Sequence, residues 1–302
     1  SDDDSQVTAT DLWITGAEST PSTHGGYGVL ARFGASLTLS RTRIEESALA
    51  GLRVFGEGTD VTTTELYVTG RKSPGVHGGG PGLSAVAGGS LSVSRSFVAD
   101  NYAAGIVSLN PGSSVVVEEV FVSGTNPNAD EMFGYGFDVG QEASLSLRRV
   151  VARENRVLGL LAMGSGTTVE AEEVWLVGTQ PGSDGGAGYG LLARDGASVS
   201  LSRSALSDNR IAGLRAFGLG SMVIASEILV TRTEMNLSNG WGMGFSIEDS
   251  AEVELSHGYF SENHNVAVAF SQSSGRVSSS LLERTKLSDY PAGDGLLASG
   301  AV

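Results

Sequence analysis

The chain has 302 residues, no cysteine and a formal net charge of −15 at pH 7. The acidic balance argues against nucleic acid and anionic membranes as partners, and the lack of cysteine excludes disulfides and thiolate metal sites. Glycine supplies 43 residues but proline only 7, which excludes collagen-like sequences and linkers. No apolar run has the length of a membrane span, so we expect no membrane insertion.

A glycine followed by an apolar residue recurs along the chain with alternating spacings of 23 and 31 residues. These glycines are Gly28, Gly51, Gly82, Gly105, Gly136, Gly159, Gly190, Gly213 and Gly244, and the series continues at Ala267 and Gly295. Repeats of this size are typical of solenoids. The spacing predicts a single solenoid domain over 1–302. Both ends fall partway through a turn, which predicts a segment of a longer repeat protein.

The first short turn contains three stretches with the alternating pattern of a β-strand. Val29 and Ala31 point to one side, Leu37 and Leu39 repeat this after a glycine turn, and Ile44 marks a third short strand. Three short strands per turn, repeated in register, resemble the right-handed parallel β-helix of the pectin-lyase-like superfamily. The resemblance covers the whole chain. It implies an all-β solenoid of about 11 coils with three short strands in each coil.

Two rows of apolar residues are predicted to point inward, each member about 4.8 Å above the last. The first strand contributes Val29, Leu52, Leu83, Ile106, Phe137, Leu160, Leu191, Leu214 and Phe245. The second strand contributes Leu37, Val61, Leu91, Val115, Leu145, Val169, Val199, Val223 and Val253. A third series, at one corner of the short turns, is Asn101, Asn155, Asn209 and Asn263. We expect these amides to satisfy backbone groups that the bend leaves unpaired.

One outward row alternates acid and base once per turn. It consists of Asp11, Arg41, Glu65, Arg95, Glu119, Arg149, Glu173, Arg203, Glu227 and His257. We call this row the charge ladder. The sequence predicts that each charge is shared between two opposite neighbours, which fixes the register of the coils because a shift by one turn would bring like charges together.

A second outward row, on the third strand, is unusually apolar for a soluble surface. Its aromatic members, which we call the aromatic stripe, are Trp13, Tyr67, Phe97, Phe121, Trp175 and Tyr259. Three explanations are open. The extra residues of each 31-residue turn form a loop, and these long-turn loops could fold over the stripe. The stripe could instead be a protein–protein interface. It could also bind sugar rings, since aromatic faces pack against apolar surfaces.

The superfamily that the chain resembles includes polysaccharide lyases, hydrolases and epimerases. Hydrolysis of a glycoside uses two carboxylates about 5–9.5 Å apart. The set of paired aspartates, Gly-His-Gly and Arg-x-Lys typical of polygalacturonases is absent. The best irregular cluster lies near the C-terminal end and holds Glu248, Asp249, Glu252, Glu254 and His257. Of these, Glu252, Glu254 and His257 are weak catalytic candidates, because drift in a terminal repeat also explains them. His24 and His77 are out of register, so no metal and no cofactor are predicted.

The sequence therefore favours a non-enzymatic β-solenoid, extracellular or on a bacterial cell surface. It would act as a rigid structural, adhesive or assembly module. The alternative is a carbohydrate-active β-helix that binds or cleaves a polysaccharide. The expected partners are a polysaccharide or another surface protein, with end-to-end self-association through open strand edges as a further expectation.

Overall fold

The computed structural model describes residues 5–18, 25–70, 79–128, 133–183, 185–235, 240, 242–286 and 294–300. All regular secondary structure within these ranges is β-strand. Every strand pairs in parallel with a strand of the coil before or after it. The chain is a right-handed parallel β-helix, as the resemblance of its three-strand turns implies. In the described ranges no helix is long and apolar enough to cross a membrane.

The strands form two sheets. Sheet B has one strand per coil: Tyr27–Arg32, Ala50–Phe55, Leu83–Val86, Ala104–Leu109, Tyr135–Gly140, Leu158–Met163, Tyr189–Arg194, Ile211–Phe217, Gly242–Glu248, Val266–Ser271 and Asp294–Ser299. Sheet A contains Gln6–Thr10, Trp13–Thr15, Ser36–Glu45, Asp60–Thr69, Ser90–Ala99, Ser114–Ser123, Ser144–Arg153, Thr168–Val177, Ser198–Ser202, Ala205–Ser207, Met222–Ser226, Leu229–Thr231, Glu252–Ser256, Tyr259–Ser261, Ser274–Ser278 and Leu281–Glu283.

The predicted second and third strands of a coil both belong to sheet A. In six coils they form one ten-residue strand, such as Ser36–Glu45, that bends in its middle. In the first coil and in the later coils they are separate strands. The bend residue has a left-handed backbone, with φ of 46° at Arg41 and 55° at Glu65. This conformation is unfavourable for residues with a Cβ. It recurs at every member of the charge ladder, which therefore lies along the bend of sheet A.

The interior is one continuous apolar core that runs from Ala31 to Val268. Both predicted inward rows are confirmed, because their members pair in register and are buried, except at the first coil. There Val29 and Leu37 are only partly buried. Phe137, Phe245 and Phe260 are the largest side chains with no exposed surface.

The glycine series is explained by the close approach of successive coils. A Cβ at Gly159 would lie 2.5 Å from the carbonyl oxygen of Gly190, and a Cβ at Gly105 would lie 2.7 Å from that of Gly136. Real Cβ atoms do not approach other atoms this closely. Each glycine thus allows the chain to enter sheet B directly beneath the next coil.

The asparagine corner is confirmed as a structural feature. The Oδ1 atom of Asn209 accepts a hydrogen bond from the backbone N–H of Thr179 at 3.0 Å, and its Nδ2 donates to the carbonyl of Leu176 at 2.9 Å. Asn263 makes the matching pair of bonds to Thr233 N–H and the Val230 carbonyl. In the turns of 31 residues the buried corner residue is thus a threonine, here Thr179 or Thr233. It lies next to the corner asparagine of the following coil.

Candidate functional site

The aromatic stripe lies on the outside of sheet A, in the predicted register. Trp13 pairs with Arg43, Tyr67 with Phe97, and the row continues through every coil to Leu281. Trp13 is 72% exposed and Trp175 is 43% exposed. The stripe is therefore open to solvent at these two tryptophans, although much of the long-turn loops lies outside the described residues.

The middle of the stripe is a stack of rings rather than a flat platform. Tyr67 and Phe97 lie 5.3 Å apart between ring centroids, and Phe97 and Phe121 lie 5.2 Å apart, with ring planes within 8° of parallel. The guanidinium of Arg43 covers the next face of Tyr67 at 4.7 Å. Since these rings cover one another's faces, they present mainly edges to a ligand, and sugar rings cannot pack flat on them.

Trp175 differs from these rings because its neighbour in the next coil is the small residue Ala205. Leu229 follows one coil further on, so the side chains of Trp175 and Leu229 bound a shallow groove of about 400 Å³. The groove is also lined by Arg203, Ser204, Glu227, Ile228 and His257. This is the part of the stripe where an aromatic face borders open space.

The charge ladder is paired rather than continuous. Arg41 binds Asp11 of the preceding coil at 2.6 Å, and Arg149 binds Glu119 at 2.9 Å. Across the alternate 24-residue steps, such as Arg41 to Glu65, the described residues make no ion pair within 4.0 Å. Direct contacts therefore lie on one side of each arginine. At Arg41 the hydrogen bond and charge of Asp11 raise the pKa of the guanidinium, and the charge of Glu65 on the other side adds to this shift. The hydrogen bond from Arg41 holds the pKa of Asp11 below its usual range.

The three weak catalytic candidates do not converge on one groove. Glu252 and Glu254 both project outward from the strand Glu252–Ser256, and Glu254 lines a groove of about 160 Å³ with Arg276. His257 lines the Trp175 groove instead. Among the residues that the structure describes, no three His, Asp or Glu side chains lie close enough to hold a metal ion. The catalytic assignment stays a prediction, and His24 and His77 lie outside the described residues.

The outer face of sheet B carries a buried leucine cluster that the sequence analysis did not identify. Leu158, Leu161 and Leu192 are buried there, although two of them occupy outward positions of their strands. Asp138 lies in the same outward row as Leu161. Burial raises the pKa of Asp138 to about 6, against the opposing charge of Arg194. The apolar outward residues in adjacent coils were the signal available in the sequence.

A groove of about 310 Å³ lies further along this face, beside Arg215. The guanidinium donates to both carboxylate oxygens of Glu248, from Nε at 3.1 Å and from Nη2 at 2.7 Å. Its Nη1 donates to the Tyr189 hydroxyl at 3.0 Å, and its carbon lies 5.0 Å from the Phe217 ring centroid. Burial works to lower the pKa of Arg215, but the bonds to Glu248 and Tyr189 outweigh it and raise the pKa.

The two carboxyl groups described on the outside of sheet B, those of Glu248 and Asp138, occur singly. The carboxylate in the Arg215 groove is held by an ion pair, and Asp138 is a single carboxyl among apolar side chains. Glycoside hydrolysis uses a pair of carboxyl groups with distinct roles across one groove. The described groove on sheet B, beside Arg215, presents no such pair.

Comparison with known proteins assigns no family to the chain. No protein-family model matches the chain, and no curated protein matches its sequence. Among solved structures, the crystal structure of pectate lyase Pel9A is similar, with a TM-score of 0.48 and 11% sequence identity. The match covers 89% of this chain and 68% of that chain.

Proposed function

We propose that the chain is a rigid, non-catalytic β-solenoid that works outside the cell or at its surface as a structural or adhesive module. The observation that carries this proposal is the continuous core beneath outward rows that keep their register from coil to coil. One apolar cluster joins the coils from Ala31 to Val268. The charge ladder and the aromatic stripe run over this core in register. Such a rod holds side chains at fixed spacings, which is what an adhesive or spacer element requires.

The candidate carboxylates support a role without catalysis. Glu254 and His257 line separate grooves, and Glu248 is held by Arg215. Catalytic acids and bases are arranged to act on one substrate atom, with a stabilising group opposite. Nothing in the described outer surfaces combines these parts.

The test is a turnover assay on neutral and acidic polysaccharides, with reducing ends and unsaturated products as readouts. We expect no turnover above that of the heat-denatured protein. A rate that falls on Glu254→Gln or His257→Ala, while Glu45→Gln leaves it unchanged, would contradict the proposal.

Small-angle scattering should meanwhile show a rod of about 50 Å, the length of 11 stacked coils.

A second candidate function, carbohydrate binding, is favoured by the Trp175 groove. The space above Ala205 separates Trp175 from Leu229 by two coils, or about 9.6 Å. A pyranose ring can enter a gap of this width and place its C–H face on the indole. Arg203 and Glu227 at the rim can supply hydrogen bonds to hydroxyl groups.

Tryptophan fluorescence separates this function from a purely structural one. Titration with cellohexaose, xylohexaose and mannohexaose should quench the wild type and Trp13→Ala equally, because Trp13 lies outside the groove. Quenching should disappear in Trp175→Ala. Equal quenching in Trp175→Ala and the wild type, or none with any of the three sugars, would remove this candidate.

A further inference from the structure

The outer face of sheet B contains two copies of one side-chain cluster. The first copy is Tyr27, Arg53 and Phe55, and the second, 162 residues later, is Tyr189, Arg215 and Phe217. In both, the arginine donates to the tyrosine hydroxyl, at 3.4 Å and 3.0 Å, and lies over both rings. Six coils separate the copies, or about 29 Å along the rod.

The two copies differ in their acidic partners. In the second copy, Arg215 is bound by both oxygens of Glu248. The residue equivalent to Glu248 in the first copy is Val86. No carboxylate of the described chain lies within 4.0 Å of Arg53.

A second arginine repeats the same difference. Arg194 in the second copy binds Asp195 at 3.4 Å. Its equivalent in the first copy, Arg32, is followed by Phe33 instead and lies 4.6 Å above that ring. Arg32 likewise has no carboxylate partner within 4.0 Å among the described residues. The first copy therefore carries two uncompensated positive charges on a strongly acidic protein.

A buried serine completes the comparison. Ser246, in the second copy, donates its hydroxyl to the carboxylate of Glu248. Its equivalent in the first copy is Ser84, which is 3% exposed and whose Oγ has no hydrogen-bond partner. A buried hydroxyl without a partner is destabilising. The donors that hold the Glu248 carboxylate are thus present in the first copy, without the carboxylate.

We propose that the first copy is a binding site for a small organic carboxylate, held by Arg53 and Ser84 as Arg215 and Ser246 hold Glu248. A bidentate bond between guanidinium and carboxylate is among the strongest that a surface site can make. Arg53 lies over the ring of Phe55, which is 41% exposed, and the neighbouring Arg32 lies over the ring of Phe33, which is 68% exposed. The ligand is therefore a carboxylate attached to an apolar ring. The site is separate from the Trp175 groove, and its existence does not depend on the proposed function.

Benzoate is the probe, with benzamide as its neutral counterpart of the same shape. The side-chain ¹⁵Nε–¹H signals of Arg53 and Arg215 are followed during titration at pH 6. We expect a saturable shift of the Arg53 signal at millimolar benzoate, no shift of the Arg215 signal, and no saturable shift with benzamide. An Arg53 signal that does not respond, or that responds equally to benzamide, would overturn the proposal.

Exchange of the two equivalent residues gives the sharper test. Val86→Glu should supply an internal carboxylate to Arg53 and weaken benzoate binding by at least about tenfold. Glu248→Val should release Arg215 and Ser246, so that the Arg215 signal now shifts and two benzoate molecules bind instead of one. Ser84→Ala should weaken binding less than Val86→Glu does.

Melting temperatures show whether each variant is folded. If Glu248→Val does not fold, Val86→Glu alone decides the matter, because it adds a carboxylate where the wild type has none. Benzoate binding that persists unchanged in folded Val86→Glu would mean that Arg53 is not the site. A folded Glu248→Val that binds only one benzoate would mean that the shared cluster does not define it.

Discussion

The outer faces of the two sheets are built on the same coils but carry different chemistry. The outside of sheet A is periodic, with exposed ion pairs such as Arg41–Asp11 and a stack of rings. The outside of sheet B departs from the period, with buried leucines, a half-buried Asp138 and the Arg215–Glu248 pair. A periodic surface serves the geometry of the rod, because every coil contributes alike. Side chains that occur once or twice are the better candidates for specific binding.

Both faces depend on the glycine series, and its substitution should produce the largest effect. In Gly159→Ala the new Cβ would lie 2.5 Å from a backbone oxygen of the next coil. We expect a loss of about 3 kcal/mol or more in the free energy of unfolding, measured by urea denaturation.

Gly295→Ala is the matched control, because it occupies the same repeat position and its Cβ would meet its nearest neighbour at 3.6 Å. It should change stability by less than about 0.5 kcal/mol. If the two variants were equally stable, close approach of the coils would not explain the glycine series.

The asparagine corner joins the two sheets, and its loss should be the next largest effect. Asn209 has no exposed surface and makes two backbone hydrogen bonds. Asn209→Ala should destabilise the protein by about 2–3 kcal/mol, because the N–H of Thr179 loses its buried partner. Gln180→Ala, at the half-buried neighbouring position, should cost less than about 1 kcal/mol in the same urea experiment. Equal losses would mean that the corner bonds are not what stabilises the bend.

The carboxyl group of Asp138 on sheet B should make the free energy of unfolding depend on pH. Its folded pKa of about 6 lies above the unfolded value of about 3.9. The folded state therefore holds the proton more tightly, and the stability that this supplies is lost as pH rises from about 4 to about 6. Asp138→Asn should raise stability by about 1–2 kcal/mol at pH 8 and leave it unchanged at pH 4. A gain of the same size at both pH values would show that the ionised carboxylate is not the cause.

The charge ladder on sheet A should give the smallest effect. Arg149 is 36% exposed and binds Glu118 and Glu119. Arg149→Gln should lower stability by no more than about 1 kcal/mol in dilute buffer, and the difference should fade in 1 M salt, where the screening length is about 3 Å. Thermal unfolding at both salt concentrations measures this. A large loss that survives high salt would mean that the ladder stabilises by packing rather than by charge.

The fold could be predicted from the sequence because its constraints repeat. An apolar residue recurs at each inward position, such as those of Leu160 and Val169, in every coil. One sequence pattern therefore fixes the register of the whole rod. The left-handed backbone at the bend of sheet A could not be predicted. It occurs at charged residues such as Arg41, and residues other than glycine rarely adopt this conformation.

The binding surfaces were harder to predict because they depend on contacts between coils. Arg215 and Glu248 are 33 residues apart and meet only when two coils stack. The Trp175 groove exists because the next residue in its row, Ala205, is small. Alignment of units three repeats apart would have shown that Arg53 and Arg215 share their neighbours, but not that Ser84 has no partner.

The ring stack of Tyr67, Phe97 and Phe121 has a spectroscopic consequence. The three rings belong to three successive coils and lie nearly parallel, 5.2–5.3 Å apart. At this distance the electronic transitions of neighbouring rings couple. Coupling requires all three coils to be wound and closed in the native register. The near-ultraviolet circular dichroism of these rings therefore measures whether these three coils have formed. It can follow the folding of this part of the rod without an added label.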